Sequence, residues 1–141
     1  MAIRKAQAVW EGNLRQGKGQ MKLGSAAFEG NYTFASRFEE GPGTNPEELI
    51  GAALAGCFSM ALSADLERAG FKPERVETHA EVNFGRVDDK PRITKIHLIT
   101  EARVPDISQD KFQEIAEGAK QNCPVSAALQ AVDKTLDAKL I

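Results

Sequence analysis

Two cysteines in a chain of 141 residues are too few for the disulfide framework that holds a small secreted domain together. They form no Cys-X-X-Cys pair, so each reads as a thiol, either redox-active or simply buried. Surplus positive charge is also missing. With 18 Lys and Arg against 20 Asp and Glu, nothing supplies the basic surface that a phosphate backbone needs, and no nucleic-acid partner is expected. The N-terminal segment MAIRKAQAVWEG has positive charges but no apolar stretch behind them. It does not read as a secretory signal, and a cytoplasmic location is the expectation. The charge-free stretch from Leu49 to Ala64 falls short of the roughly 18 apolar residues that a membrane span needs. Gly51, Gly56, Ser59 and Ser63 dilute it further, so no membrane partner is expected. No low-complexity run, repeat or Pro/Gly/Ser-rich linker divides the chain. One domain over residues 1–141 is therefore expected, with 42% hydrophobic residues to form its core.

What is present is a succession of short segments with different periods. Between Lys5 and Phe38, the runs Ala6–Trp10, Gln20–Leu23 and Asn31–Phe34 are separated by glycines at 12, 17, 19, 24 and 30, which predicts three or four short antiparallel strands. Gly17-Lys18-Gly19 lacks the spacing of a phosphate-binding loop and reads as a hairpin turn. Gly41-Pro42-Gly43-Thr44-Asn45-Pro46 breaks the pattern. Asn45 is a helix cap, with Pro46 at the first helical position and Glu48 three residues after the cap, and Gly70 supplies a stop after Ala69. Val76, Thr78, Ala80, Val82 and Phe84 then alternate with polar residues, as do Ile96, Leu98, Thr100, Ala102 and Val104, which predicts two strands joined at Asp88-Asp89-Lys90-Pro91. Ser108 caps a second helix to about Gln121, with Phe112, Ile115, Ala116 and Ala119 on one face. Pro124 interrupts it, a short helix runs to about Ala131, and a last strand carries Leu136, Ala138 and Leu140. The class is α+β.

The long helix is apolar all round and must be covered on every side. One short second helix and one sheet from the same chain supply too little cover, so a second copy is expected to contribute.

Cys57 lies about three turns inside that helix, and Cys123 directly precedes Pro124. Both fit equally well as packed core thiols, since free cysteine is among the most buried residue types. Cys123, at the opening of a helix, lies where free backbone N–H groups favour an anion. Cys57 has no such help, and burial alone keeps a thiol protonated, so a nucleophilic Cys57 needs a cation from elsewhere. Arg37 is the candidate, placed by the pattern at the end of a Tyr32–Phe38 strand, with Glu47 in the first turn of the helix to hold it. Read plainly, Arg37 is a solvated strand-end charge and Glu47 an acid favoured by the helix dipole. His79 and His97 fall on polar strand faces and are expected to face solvent. Together with the two cysteines they have no paired metal-ligand spacing.

Arg37-Phe38-Glu39, then Gly43-Thr44-Asn45-Pro46-Glu47-Glu48-Leu49-Ile50-Gly51-Ala52-Ala53, then Cys57-Phe58-Ser59-Met60, and later Cys123-Pro124-Val125-Ser126 together resemble the signature of the OsmC and organic hydroperoxide resistance family of cysteine peroxidases. Trp10-Glu11-Gly12 and Gly17-Lys18-Gly19 are closer to its OsmC branch. The resemblance implies that Cys57 is the peroxidatic thiol, Cys123 the resolving thiol, Arg37 the activating cation and Glu47 its partner. It also implies an OsmC-like fold: an intertwined homodimer with long buried helices at its centre, mainly antiparallel sheets from both chains, and active sites at the subunit interface. Organic hydroperoxides are the implied substrates, an apolar pocket lined partly around Leu54 and Phe58 would take their alkyl chains, and lipoyl groups on proteins are the implied dithiol reductant. No cofactor is required. The competing expectation is a dimer of the same fold that binds a small apolar ligand or senses oxidation without turnover.

Overall fold

The computed structural model describes residues 1–141, which fall into two compact units, Met1–Leu49 and Ile50–Ile141. In the first unit β1 (Ala6–Glu11), β2 (Lys18–Leu23) and β3 (Glu29–Tyr32) form an antiparallel sheet in that order. Trp10, Gly19 and Tyr32 lie opposite one another across it, and the two rings approach to 5.4 Å between centroids. A Cβ on Gly19 would stand 2.5 Å from the Tyr32 ring, so only glycine lets the aromatic pair close. Gly19 is thus inside β2 rather than in a turn. The hairpin connection is Gly12–Gly17, closed by Gln16 N–H donating to Asn13 Oδ1 at 2.7 Å.

The strand expected to run on to Phe38 stops at Tyr32, and Phe34–Phe38 forms a short helix, α1. The reason is local. Ser36 N–H donates to Thr33 Oγ1 at 3.1 Å and Thr33 N–H donates to Ser36 Oγ at 2.8 Å, a complete capping box that satisfies two backbone donors at once. That outweighs the strand preference of Tyr32, Thr33 and Phe34. Arg37 accordingly sits on a helical turn.

The loop after α1 folds back on it. Ser36 Oγ donates to the Thr44 carbonyl at 2.7 Å and Asn45 Nδ2 to the Ser36 carbonyl at 3.1 Å, while Asn45 Oδ1 accepts from Glu48 N–H at 2.7 Å. Gly43 has φ +114, and a Cβ there would meet the Asn31 carbonyl oxygen at 2.6 Å. The Gly-Pro-Gly-Thr-Asn-Pro run is therefore a clasp that fixes the start of α2 (Pro46–Arg68). Gly70, at φ +95, ends that helix where the sequence indicates.

In the second unit β4 (Arg75–Val87) and β5 (Lys90–Arg103) make a long hairpin, and β6 (Asp133–Leu140) pairs with β5 in parallel. Val87 pairs with Lys90 across a two-residue turn whose residues Asp88 and Asp89 have φ +51 and +64, the sense that matches strand twist. Alternate residues Ile96, Leu98, Thr100 and Ala102 of β5 are buried against Leu54, Phe58, Leu62 and Leu66 of α2 and against Phe112, Ala116 and Ala119 of α3 (Gln109–Asn122). Thr100 is satisfied inside this core by a chain of hydroxyls. Ser59 donates to Thr78, Thr78 shares a hydrogen bond with Thr100 at 2.8 Å, and Thr100 donates to the Glu77 carbonyl. Ser59 thereby pins the register of α2 two residues from Cys57.

α2 is not covered on every side by its own chain. One stripe is buried, while Ala52, Ala53, Gly56 and Met60 are exposed. By length and composition this helix could cross a membrane, but its inner stripe forms the core of the second unit. The short helix after Pro124, α4 (Pro124–Ala128), ends earlier than expected. The Lys134 ammonium donates to the carbonyls of Leu129 and Val132 at 2.7 and 2.9 Å, turning the chain into β6.

Candidate active site

The structure groups the four expected site residues as two pairs. Arg37 and Glu47 meet in the first unit: Arg37 Nη2 donates to Glu47 Oε1 at 2.8 Å, and Nε donates to the same oxygen at 3.1 Å. Glu47 is buried and the Arg37 side chain is 37% exposed. α1 presents the arginine and the clasped first turn of α2 presents the acid, so the pair exists because Thr33, Ser36 and Asn45 fix both helix starts. A guanidinium fork on a carboxylate is a directional pair that holds its charge when partly buried. The Arg37 guanidinium also lies over the Phe38 ring, 5.4 Å from its centroid.

Cys57 and Cys123 meet in the second unit, both as free thiols. At about 100° per residue along α2, Cys57 falls between the buried Leu54–Phe58–Leu62–Leu66 stripe and the exposed Gly56–Met60 face, and it is half-buried. Cys123 is 1% exposed. It closes α3 by donating its N–H to the Ala119 carbonyl and opens α4 by accepting Ser126 N–H on Sγ at 3.4 Å, with Pro124 at the first helical position. Burial pushes the Cys123 thiol above its ordinary value, the Ser126 N–H pulls it back down, and the neighbouring Cys57 adds to the rise. One thiol is thus open to a substrate, and the second is sheltered beside it.

Both thiols line one cavity of about 420 Å³, with Met60, Ala61, Ala64, Asp65, Arg68 and the start of α4. Leu54 and Phe58, expected to line an alkyl pocket, are fully buried in the core instead, because they project toward β5 rather than past Cys57. The wall the sequence reading missed is Met60, Ala61 and Ala64. The helical spacing of three, four and seven residues from Cys57 was the available signal. His79 faces solvent as expected, whereas His97 does not. Its side chain is only 24% exposed and bonds Thr135 Oγ1 at 2.6 Å and Asp137 Oδ2 at 3.1 Å. The strand pattern put it on a polar face, and β6, paired alongside β5 with Thr135 in register with His97, brings Thr135 and Asp137 against it on that face. No three His, Cys, Asp or Glu side chains converge as a metal site.

The OsmC-like protein family matches residues 39–136, a segment that holds Glu47, both cysteines and the cavity wall. The chain belongs to the OsmC-like family. Peroxiredoxin OsmC of Escherichia coli (strain K12) is 49% identical over 138 residues, 97% of this chain and 96% of that protein. Organic hydroperoxide resistance protein OhrB of Bacillus subtilis (strain 168) is 33% identical over 102 residues, 69% of this chain and 71% of that one. The crystal structure of the Bacillus subtilis OhrB superposes with a TM-score of 0.72 at 23% identity, over 96% and 98% of the two chains. The OsmC-like protein from Mycoplasma pneumoniae gives 0.76 at 15% identity, over 99% and 98%. The α+β arrangement read from the sequence is the OsmC-like fold.

Proposed function

We propose that this chain is a thiol peroxidase that reduces organic hydroperoxides, and hydrogen peroxide more weakly, as one OsmC-like domain acting in the cytoplasm. The observation that carries the reading is the accessible Cys57 beside the sheltered Cys123 on one largely apolar-walled cavity. The Cys57 thiolate attacks a peroxide oxygen, the O–O bond breaks and an alcohol leaves. The resulting sulfenic acid condenses with Cys123 to give a disulfide and water. A dithiol, in this reading a lipoyl group on a protein, reduces the disulfide and resets the pair.

Arg37 is the cation that makes Cys57 a thiolate and donates to the departing oxygen. The working unit is a homodimer with active sites at the subunit interface. Relatives of the chain carry names that fit this chemistry: one is a peroxiredoxin and others are organic hydroperoxide resistance proteins.

The test is a steady-state assay with an alkyl hydroperoxide and dihydrolipoamide. Many equivalents of peroxide consumed per thiol pair supports the peroxidase. A single equivalent per pair indicates a sensor or ligand-binding dimer instead.

A further inference from the structure

The ion pair with Glu47 decides which way Arg37 points, but not the roll of its guanidinium plane. Both short bonds, from Nε at 3.1 Å and from Nη2 at 2.8 Å, converge on the one oxygen Oε1, and the second carboxylate oxygen is 3.4 Å from Nε. A planar cation held at one point still rolls about it unless a surface lies against its face. The Phe38 ring supplies such a surface, with its centroid 5.4 Å from Arg37 Cζ, inside the roughly 6 Å over which a ring face attracts a cation.

Phe38 is itself 39% exposed and ends α1, a helix of five residues that is too short to keep its shape unaided. Phe34, one turn earlier on the same helix, approaches the Phe38 ring to 4.9 Å between centroids at a tilt of 36°, a separation at which aromatic pairs attract. Against Phe34 in turn lies the Arg15 guanidinium, 4.6 Å from the ring centroid. Arg15 belongs to the β1–β2 connection, and that connection is stiff. Gly17 N–H donates to the Asn13 carbonyl at 2.9 Å, Gln16 N–H donates to Asn13 Oδ1, and a Cβ on Gly17 would stand 2.3 Å from the Asn13 carbonyl oxygen. The contacts therefore run Arg15, Phe34, Phe38, Arg37: two rings with a guanidinium against each, leading from the first hairpin to the cation of the proposed site.

We infer that Phe38, Phe34 and Arg15 are positioning residues for Arg37, fixing the roll of a guanidinium that Glu47 fixes only in direction. The inference rests on the peroxidase reading, in which Arg37 activates Cys57, and deepens it. Roll matters because a hydrogen bond to developing charge weakens steeply when its donor is misaligned. Arg15 acts through the two rings and touches no reacting atom.

The test uses the full chain. Arg15→Met removes the charge and keeps an unbranched side chain, whereas Arg15→Lys keeps a cation that can lie over the ring. Arg15→Met is expected to lower kcat/KM for an alkyl hydroperoxide about 2- to 5-fold, the scale of one exposed cation–ring contact. In a Cys123→Ser background it shifts the alkylation of Cys57 to higher pH, and Arg15→Lys stays close to the parent in both measurements. Phe38→Leu breaks the stack next to Arg37, so its losses are larger, and adding Arg15→Met to it changes neither further. Phe34→Leu serves as the broken stack if Phe38→Leu does not fold. A stack that served folding alone would lower the melting temperature and leave the Cys57 profile unmoved, and that result overturns the inference. So does an equal effect of Arg15→Met with and without Phe38→Leu, which makes Arg15 a cation acting on its own. The alkylation profile needs no turnover, so a parent chain that consumes a single equivalent of peroxide overturns the peroxidase reading while the profile still decides the positioning.

Discussion

A cysteine is a nucleophile only as its thiolate, so the division of labour between Cys57 and Cys123 comes down to exposure and neighbours. The half-buried Cys57 meets the cavity, and the 1% exposed Cys123 does not meet a bulky peroxide first. Cys57→Ser is expected to abolish turnover, while Cys123→Ser reacts once and stalls with Cys57 as sulfenic acid or over-oxidised. Mass spectrometry of each peroxide-treated variant checks this, and multiple turnover by Cys57→Ser would reverse the assignment. The cation makes a second prediction. Arg37→Ala removes a charge and leaves the buried Glu47 carboxylate unpaired, whereas Glu47→Gln loosens the arginine and keeps its charge. Activity should fall further in Arg37→Ala, with the alkylation of Cys57 in a Cys123→Ser background shifted to higher pH. An unmoved alkylation profile would mean that another group activates Cys57. The third prediction concerns stability. Burial raises the Cys123 thiol in the folded state, so above the ordinary thiol range near pH 8.5 the unfolded chain has lost a proton that the folded chain keeps. The native state then binds more protons than the unfolded one, and stability falls as pH rises through that window. The reduced protein should lose stability there relative to Cys123→Ala, measured by denaturant midpoints on either side of it. Parallel curves for the two proteins would contradict a raised thiol.

At the scale of elements, α2 is the part most legible in the sequence because its signals are local: Asn45 and Pro46 begin it, Gly70 ends it, and no charge interrupts Leu49 to Ala64. The β4–β5 hairpin is equally legible, since alternation and an Asp-Asp turn are both short-range. α1 was missed because a five-residue helix has no room for a period, and only the Thr33–Ser36 spacing betrays it. The His97 contacts were missed because they depend on which edge of β5 receives β6. The meeting of Cys57 with Cys123 is likewise a contact between distant segments, which no periodicity encodes; the family resemblance suggested it. The pocket wall lies one helical face away from the expected one. Met60, Ala61 and Ala64, rather than Leu54 and Phe58, are the residues beside which an alkyl chain would lie. Each methylene buried there adds about 0.8 kcal/mol of binding, so alkyl hydroperoxides should exceed hydrogen peroxide in kcat/KM. Ala64→Trp should shrink that ratio by filling the cavity. Equal specificity constants for hydrogen peroxide and a bulky hydroperoxide in the parent protein would argue against an apolar site.

For the whole molecule, the deciding feature is the face of α2 that its own chain leaves uncovered. Ala52, Ala53, Gly56 and Met60 fall within about 100° of arc at the helical repeat, and Met60 is 78% exposed. A long helix with one apolar face buried and another apolar face open is a helix made for two cores, and a second copy packed on that face gives the homodimer proposed above. Stability should then depend on protein concentration, and sedimentation should find no folded monomer at micromolar concentration. Gly56 turns this into a question of sign. Within one chain, a Cβ at Gly56 meets nothing within 4 Å. If the protein worked as a monomer, Gly56→Glu would replace the poorest helix former short of proline with a good one on an open surface, and stabilise the fold by up to about 1 kcal/mol. In a dimer with two such helices packed together, the same substitution places a charge and a long side chain in a desolvated apolar contact, which costs far more than the propensity returns. Gly56→Glu is therefore expected to lower the melting temperature, dissociate the dimer and abolish turnover together, since the proposed active sites lie at the subunit interface. Gly56→Glu with a raised melting temperature and intact peroxidase activity would show that the open face of α2 is a true surface and that no second copy packs on it.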